Sequence, residues 1–405
     1  MNKESRPSIL KRTSRNFRAM IFRGSYYAFF DGLSRDYGSL YLFSHGLNVI
    51  QIGIVRSMGM LATAFTSAFL GVLADVRGRR KAFIVIILLE ILGALLYAVA
   101  WNGCVAALAS MVYSSSSLGA MIIGNIALAD SLPMDLRATG LGVSSTVTQV
   151  SSLASPIIAG IIVSMYGGIS IEGIRPLYVI QLAGLALMAV PFIHMFREEV
   201  KIEEKMSFKD GFTSAINLLR STPWLQRWVL IEILGGYVWS TTMPYYMIYI
   251  SEIDGADPIT IGLMGFALNL ALILGSIPIG RLADRIGRVK TILLLRPLFY
   301  LSTLMILYFK EPYLLILAWA LRGLFRTTSS AFGALTMELV PENMRGRWTS
   351  IRSFIRFLTR LPAPVLGGYL WTMLSPQSPF LLAIAVDLFL RVPLIYMTPE
   401  TLRHE

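Results

Sequence analysis

The sequence predicts an all-α membrane protein of twelve transmembrane helices in two pseudo-symmetric six-helix bundles. Three observations lead there. The 405-residue chain is 55% hydrophobic and only 15% charged, with a mean hydropathy of +0.63, far too apolar for a soluble domain. Apolar stretches of roughly 20 residues recur along its whole length, each long enough to cross a hydrocarbon core of about 30 Å. One cationic turn also occurs twice, 209 residues apart (75 to 284).

The spans predicted in the first half are 18–43, 50–74, 82–101, 104–129, 138–165 and 175–196. Those of the second half are 225–250, 259–283, 290–309, 312–337, 347–373 and 378–398. Residues 1–17 read as a basic cytoplasmic tail and 399–405 as a second, short one. Residues 197–224 read as a cytoplasmic linker between an N-terminal bundle (18–196) and a C-terminal bundle (225–398). Its charged residues accompany an apolar stripe from Phe208 to Leu219, the pattern of a helix lying on the membrane surface. The remaining loops are short, so neighbouring spans pack antiparallel.

The duplicated turn reads Gly71-Val-Leu-Ala-Asp75-Val-Arg-Gly78-Arg79-Arg80-Lys81, then Gly280-Arg-Leu-Ala-Asp284-Arg-Ile-Gly287-Arg288-Val-Lys290. Asp130-Ser-Leu-Pro133 is echoed by Glu338-Leu-Val-Pro341, and Pro156 and Gly160 recur as Pro364 and Gly368. A duplicated unit in a membrane-embedded chain is the plan of a secondary transporter.

The formal charge of +12 suggests nucleic acid, but its placement does not. Lys and Arg gather in the N-terminal tail and in alternate loops, around Arg77–Lys81, Arg197–Lys209, Arg285–Lys290 and Arg345. The intervening loops hold few, and Glu252–Asp257 is acidic. By the positive-inside rule both termini are cytoplasmic in a cell-membrane protein, with the tail free to meet anionic headgroups. The first 18 residues are polar and basic, unlike a cleavable leader. A lone Cys104 and three scattered histidines offer no disulfide or metal cluster. No phosphate-binding glycine loop or hydrolytic constellation is present, so no cofactor is expected and the chain does not read as an enzyme.

The paired Gly-x-Leu-Ala-Asp turn, the acidic-x-x-Pro turn after spans 4 and 10, and the six-plus-six layout resemble the major facilitator superfamily over essentially the whole chain. That resemblance implies a monomeric rocker-switch transporter whose central cavity is lined chiefly by spans 1, 4, 7 and 10. Span 5, with Gly142, Ser151, Ser155-Pro156 and Ala159-Gly160, is similar in spacing to the glycine-proline motif of the drug-proton antiporter branch, with Ser, Ser and Ala at three glycine positions. Small residues beside proline predict bends at Pro156 and Gly160, and likewise at Pro364 and Gly368. Where that branch usually has a cavity arginine, this chain has Tyr113-Ser-Ser-Ser-Ser117.

Asp75 and Arg79, like Asp284 and Arg288, lie four residues apart at a helix end. Arginine there can reach Asp130 or Glu338, so Gly71, Asp75, Gly78, Arg79, Arg80, Asp130, Gly280, Asp284, Gly287, Arg288 and Glu338 are expected to form a cytoplasmic latch.

An ionisable side chain at the bilayer centre costs about 2.5–3.5 kcal/mol on insertion scales, so each calls for a reason. Span 1 carries Asp31, Arg35 and Asp36; span 7 Glu232, Tyr237 and Trp239; span 10 Arg322 and Arg326; span 11 Arg352, Arg356 and Arg360. Asp31, Arg35, Asp36, Glu232, Tyr237, Trp239, Arg322, Arg326 and Arg356 are the expected substrate and proton cavity. Glu90, Arg296, Asp387 and Arg391 read as structural pairs, and most aromatics as packing. The leading reading is proton-coupled export of a small molecule, with membrane lipids and protons as partners and no nucleic acid. The alternative is transport of an organic or inorganic anion through an arginine-lined cavity.

Overall fold

The computed structural model describes residues 14–133, 136–198, 223–340 and 345–401, and they form twelve antiparallel helical crossings. The basic tail up to residue 13 and most of the linker lie outside the described residues. In the first half, α1 comprises Arg15–Ser34, a 3₁₀ turn at Arg35–Tyr37, and Gly38–Ser44. It is followed by α2 (Val49–Arg77), α3 (Arg79–Ala98), α4 (Gly103–Ser115 with Ser117–Asp130), α5 (Arg137–Ser151 with Ser155–Met165) and α6 (Ile171–Met195). The second half repeats the plan with α7 (Pro223–Thr242 with Tyr246–Glu252), α8 (Pro258–Ile286) and α9 (Arg288–Leu294 with Arg296–Tyr308). It ends with α10 (Pro312–Arg326 with Thr328–Glu338), α11 (Arg345–Arg360 with Ala363–Met373) and α12 (Ser378–Val386, a π turn at Asp387–Arg391, and Val392–Tyr396).

Local chemistry sets the ends. Asn102, Ser170 and Asp257 accept from the backbone N–H of Val105, Gly173 and Thr260, capping α4, α6 and α8. Pro156 and Pro364 stand in the first turn of the second segments of α5 and α11, where a missing N–H costs nothing. The helix therefore breaks just before each proline rather than bending through it.

Eight crossings are long and apolar enough to span a membrane by composition alone. The four that fall short are α1, α7, α10 and α11, which between them carry Asp31, Arg35, Asp36, Glu232, Arg322, Arg326, Arg352, Arg356 and Arg360. A helix so charged cannot face acyl chains all round.

The chain divides into two compact units. Unit 1 holds the described residues up to Gly38 and from Gly59 to Glu198. Its core packs Phe83 of α3 edge-on against Phe192 and Phe196, with Ala19, Leu70, Ile123 and Leu185 around them. Unit 2 holds Ser39–Met58 and everything described from Pro223 onward. Trp228, Ile292, Leu335 and Trp348 anchor its core, and the Trp228 indole donates to Thr336 Oγ1 (3.1 Å). Within this unit the 39–58 stretch is bonded to α11 by Ser57 Oγ, which donates to Leu361 O (2.6 Å).

Candidate functional site

Both units hold polar constellations at membrane depth. In unit 1 one of them is a relay. Ser34 Oγ donates to Gln181 Oε1 (2.8 Å), Gln181 Nε2 to Tyr113 Oη (2.6 Å), and Tyr113 Oη to Asp31 Oδ1 (2.8 Å). Arg35 closes the chain by donating to Asp31 Oδ2 through Nη2 (2.6 Å) and Nε (3.0 Å). Three crossings, α1, α4 and α6, are thereby joined. Arg35 keeps about half its side chain exposed while Asp31 is 13% exposed, so the acid is buried behind a half-exposed cation. Helix α1 tightens to its 3₁₀ turn at Arg35, just where this pair forms. Asp36 follows on the same turn, half-buried. Tyr113 drew notice only as the start of the stretch that stands where a cavity arginine is usual, and Gln181 not at all, because an amide at mid-span looks like packing.

A second buried pair crosses unit 1. Arg23 Nη2 donates to Glu90 Oε1 (2.7 Å), with both side chains almost fully enclosed. The guanidinium also lies over the rings of Tyr27, Phe83 and Phe192.

Unit 2 is cationic. At membrane depth it carries Arg296, Arg322, Arg326, Arg352, Arg356, Arg360 and Arg391 against two carboxylates, Glu232 and Asp387. Glu232 accepts from Arg352 Nη1 (3.0 Å), and its Oε2 finds no partner among the described residues. Arg356, Arg360 and Arg391 lie close enough to bear on it electrostatically. Asp387 accepts from Arg296 (2.7 Å), Arg391 (3.1 Å) and the Tyr300 hydroxyl (2.8 Å). Helix α7 makes room for two guanidiniums with adjacent glycines. A Cβ at Gly235 would strike Arg391, and one at Gly236 would strike Arg360. The half-buried Tyr237 follows directly.

Arg322 is held differently. Its side chain is buried, and its guanidinium sits 3.9 Å from the ring centre of Tyr246. Trp319, Phe299 and Trp239 complete the cage at 5.4, 5.6 and 5.7 Å. Arg326, half-buried, lies 5.9 Å from the same Trp239 ring.

At the glycine turns Arg79 pairs with Asp130 (2.5 Å) inside unit 1. Arg288 pairs with Glu338 (2.6 Å) inside unit 2 and stands 3.8 Å from Asp284. Gly71, Asp75 and Gly280 lie in the last turns of α2 and α8. Gly78 and Gly287 take φ of 92° and 107°, the left-handed region that favours glycine. The sequence reading missed two acids here. Glu198 Oε2 accepts from the N–H of Arg80 (2.9 Å), and Glu400 accepts from those of Arg288 (2.8 Å) and Val289 (3.0 Å). Each carboxylate satisfies orphan donors at the start of α3 or α9, where the helix dipole favours negative charge.

Outside the membrane, Asp254 in the turn between α7 and α8 has its carboxyl pushed up to about 7 by burial, against the pull of Lys310. Its Oδ2 makes no hydrogen bond among the described residues. The folded carboxyl binds its proton more tightly than the unfolded one, so stability falls as pH rises from about 4 towards about 7 and then levels off. Asp254→Asn is expected to raise the melting temperature by a few degrees at about pH 8 and to lose that advantage at about pH 5. Thermal unfolding in detergent at the two values checks it; an equal gain at both would mean burial does not disfavour this charge.

A duplicated twelve-helix plan with charged side chains at membrane depth is that of a membrane transporter of small molecules. The chain belongs to the Major Facilitator Superfamily, whose model matches residues 16–255 and 229–404. Among curated proteins it is similar to the multidrug resistance protein MdtG of Escherichia coli, 24% identical over 359 residues, covering 83% of this chain and 82% of that one. Among solved structures it resembles the nucleoside transporter NupG (TM-score 0.74, 13% identity, 97% and 100% of the two chains). It also resembles a D-xylose-proton symporter (TM-score 0.69, 12% identity, 96% and 97%). At these identities the structures speak for the fold alone.

Proposed function

We propose that the chain is a proton-coupled secondary transporter that exports a small organic molecule across the cell membrane, working as a monomer by rocker-switch alternating access with both termini in the cytoplasm. The observation that carries this reading is Asp31, a carboxylate at membrane depth held between a phenol and a half-exposed arginine. Protonating it would weaken its bond to Arg35, and a substrate that donates to the Asp31 carboxylate would hold it ionised and expel the proton, which is the competition antiport needs. The similarity to a protein named for multidrug resistance favours export. The Arg79–Asp130 and Arg288–Glu338 pairs, with their glycine turns, serve as the cytoplasmic latch, and residues 197–224 as the tether between the bundles.

Asp31→Asn, reconstituted in liposomes, is expected to lose proton-driven transport while keeping substrate counterflow, because the site remains but its proton does not. Asp36→Asn and Glu232→Gln provide the parallel arms. Wild-type proton coupling in Asp31→Asn would remove Asp31 from the mechanism. A second reading, transport of an organic or inorganic anion, is favoured by the excess of arginine in unit 2.

A further inference from the structure

The Arg322 cage holds a charge for which no acceptor meets Nη1 or Nη2 among the described residues. Within unit 2 the two carboxylates at membrane depth are already engaged, Asp387 by Arg296 and Arg391 and Glu232 by Arg352. Arg322 is 1% exposed, and neither Nη1 nor Nη2 meets an acceptor among the described residues. The surrounding rings do not fill that need. A π face receives the positive charge of a guanidinium from above, as Tyr246 does at 3.9 Å. The N–H donors lie in the guanidinium plane and present a fork that suits a planar two-oxygen acceptor.

The walls of the cage differ in exposure. Tyr246, Trp319 and Phe299 are 1%, 3% and 4% exposed, and the Tyr246 hydroxyl is tied to Thr303 (3.3 Å). Trp239 alone of the four is half-exposed, and it stands within 6 Å of both Arg322 and Arg326. It is the side through which a ligand would reach the fork.

We infer that Arg322 is the anion subsite of the transported molecule, and that this molecule is an organic carboxylate with a flat apolar body. The carboxylate takes the Nη1–Nη2 fork, and the body packs against or displaces the Trp239 indole, with Arg326 on its other side. This names the substrate class for the transporter proposed above and rests on that reading, but it concerns equilibrium binding and not proton coupling.

The test uses the full chain in lipid nanodiscs with two probes of one shape, naphthoate and the uncharged naphthamide, read by quenching of tryptophan fluorescence and by calorimetry. Wild-type protein is expected to bind naphthoate tighter than naphthamide by about tenfold to a hundredfold, the scale of a charge-assisted hydrogen bond. Arg322→Gln should abolish that preference. Arg322→Lys, which keeps the charge without the fork, should restore part of it. Trp239→Ala should weaken both probes alike, and because binding is read at equilibrium with no proton gradient, failure of proton coupling and failure of the anion site are told apart. Equal affinity for the two probes on wild-type protein overturns the proposal, and that arm requires no variant to fold. So does a carboxylate preference that survives in Arg322→Gln.

Discussion

Asp387→Ala is expected to destabilise the protein by about 3–5 kcal/mol, the cost of removing one partner from a buried ion pair. Asp387 is fully enclosed. It neutralises both Arg296 and Arg391 while accepting a third bond from Tyr300, so its loss strands two guanidiniums. Their remaining contacts are weaker. Arg296 lies over Phe325 and Arg391 over Phe332, each contact worth about 0.5–2 kcal/mol. Arg391 also donates to Ile231 O (3.0 Å). Against a native stability of about 5–15 kcal/mol, most of the protein should fail to give a monodisperse peak after extraction. Combining Asp387→Leu with Arg296→Met should recover much of the loss, because Arg391 retains its carbonyl. A single variant that melts with the wild type would show that the carboxylate contributes nothing net.

The second large effect is expected in unit 1. Glu90→Leu leaves Arg23 buried without its carboxylate, at a cost of about 3 kcal/mol. This should fall below the cost at Asp387, since one guanidinium is stranded instead of two and three aromatic rings flank it. The double variant Arg23→Met with Glu90→Leu should be nearly neutral, since an apolar pair of similar volume avoids desolvating either charge. Thermal unfolding of the four proteins forms a double-mutant cycle. If the double variant were as damaged as Glu90→Leu, the loss would lie in packing and not in the stranded charge.

Both predictions rest on charges that were visible in the sequence. Asp387 and Arg391 read there as a pair, but the partners on other helices, Arg296 for Asp387 and Arg23 for Glu90, did not show. Twelve apolar spans and the doubled Gly-x-Leu-Ala-Asp turn made the architecture legible, because membrane thickness and internal repetition are one-dimensional facts. Pairing between helices is not, since it depends on rotation and tilt. The sequence places Glu90 at mid-span in α3, yet nothing in its spacing selects Arg23 over any other cation. Asp31 and Arg35 were readable as a pair because four residues on one helix share a face. Tyr113 and Gln181 complete the same relay from α4 and α6, and neither carries a charge to draw notice. Trp239 was assigned to the cavity, whereas Tyr246, Trp319 and Phe299, which complete the cage around Arg322, passed as packing. The interruptions of α5 and α11 were signalled by Pro156 and Pro364, whereas the π turn at Asp387 has no sequence mark.

Glu198 and Glu400 bear on how the duplication aged. The turns they cap are 209 positions apart (79 to 288), but the two acids are 202 apart. The halves have slipped by seven residues at their closing ends, yet a carboxylate still arrives beneath each glycine turn. Ancestry was thus kept as a location in space after the register that encoded it had drifted. Comparing the halves letter by letter overlooks this inheritance, and superposing them brings it back.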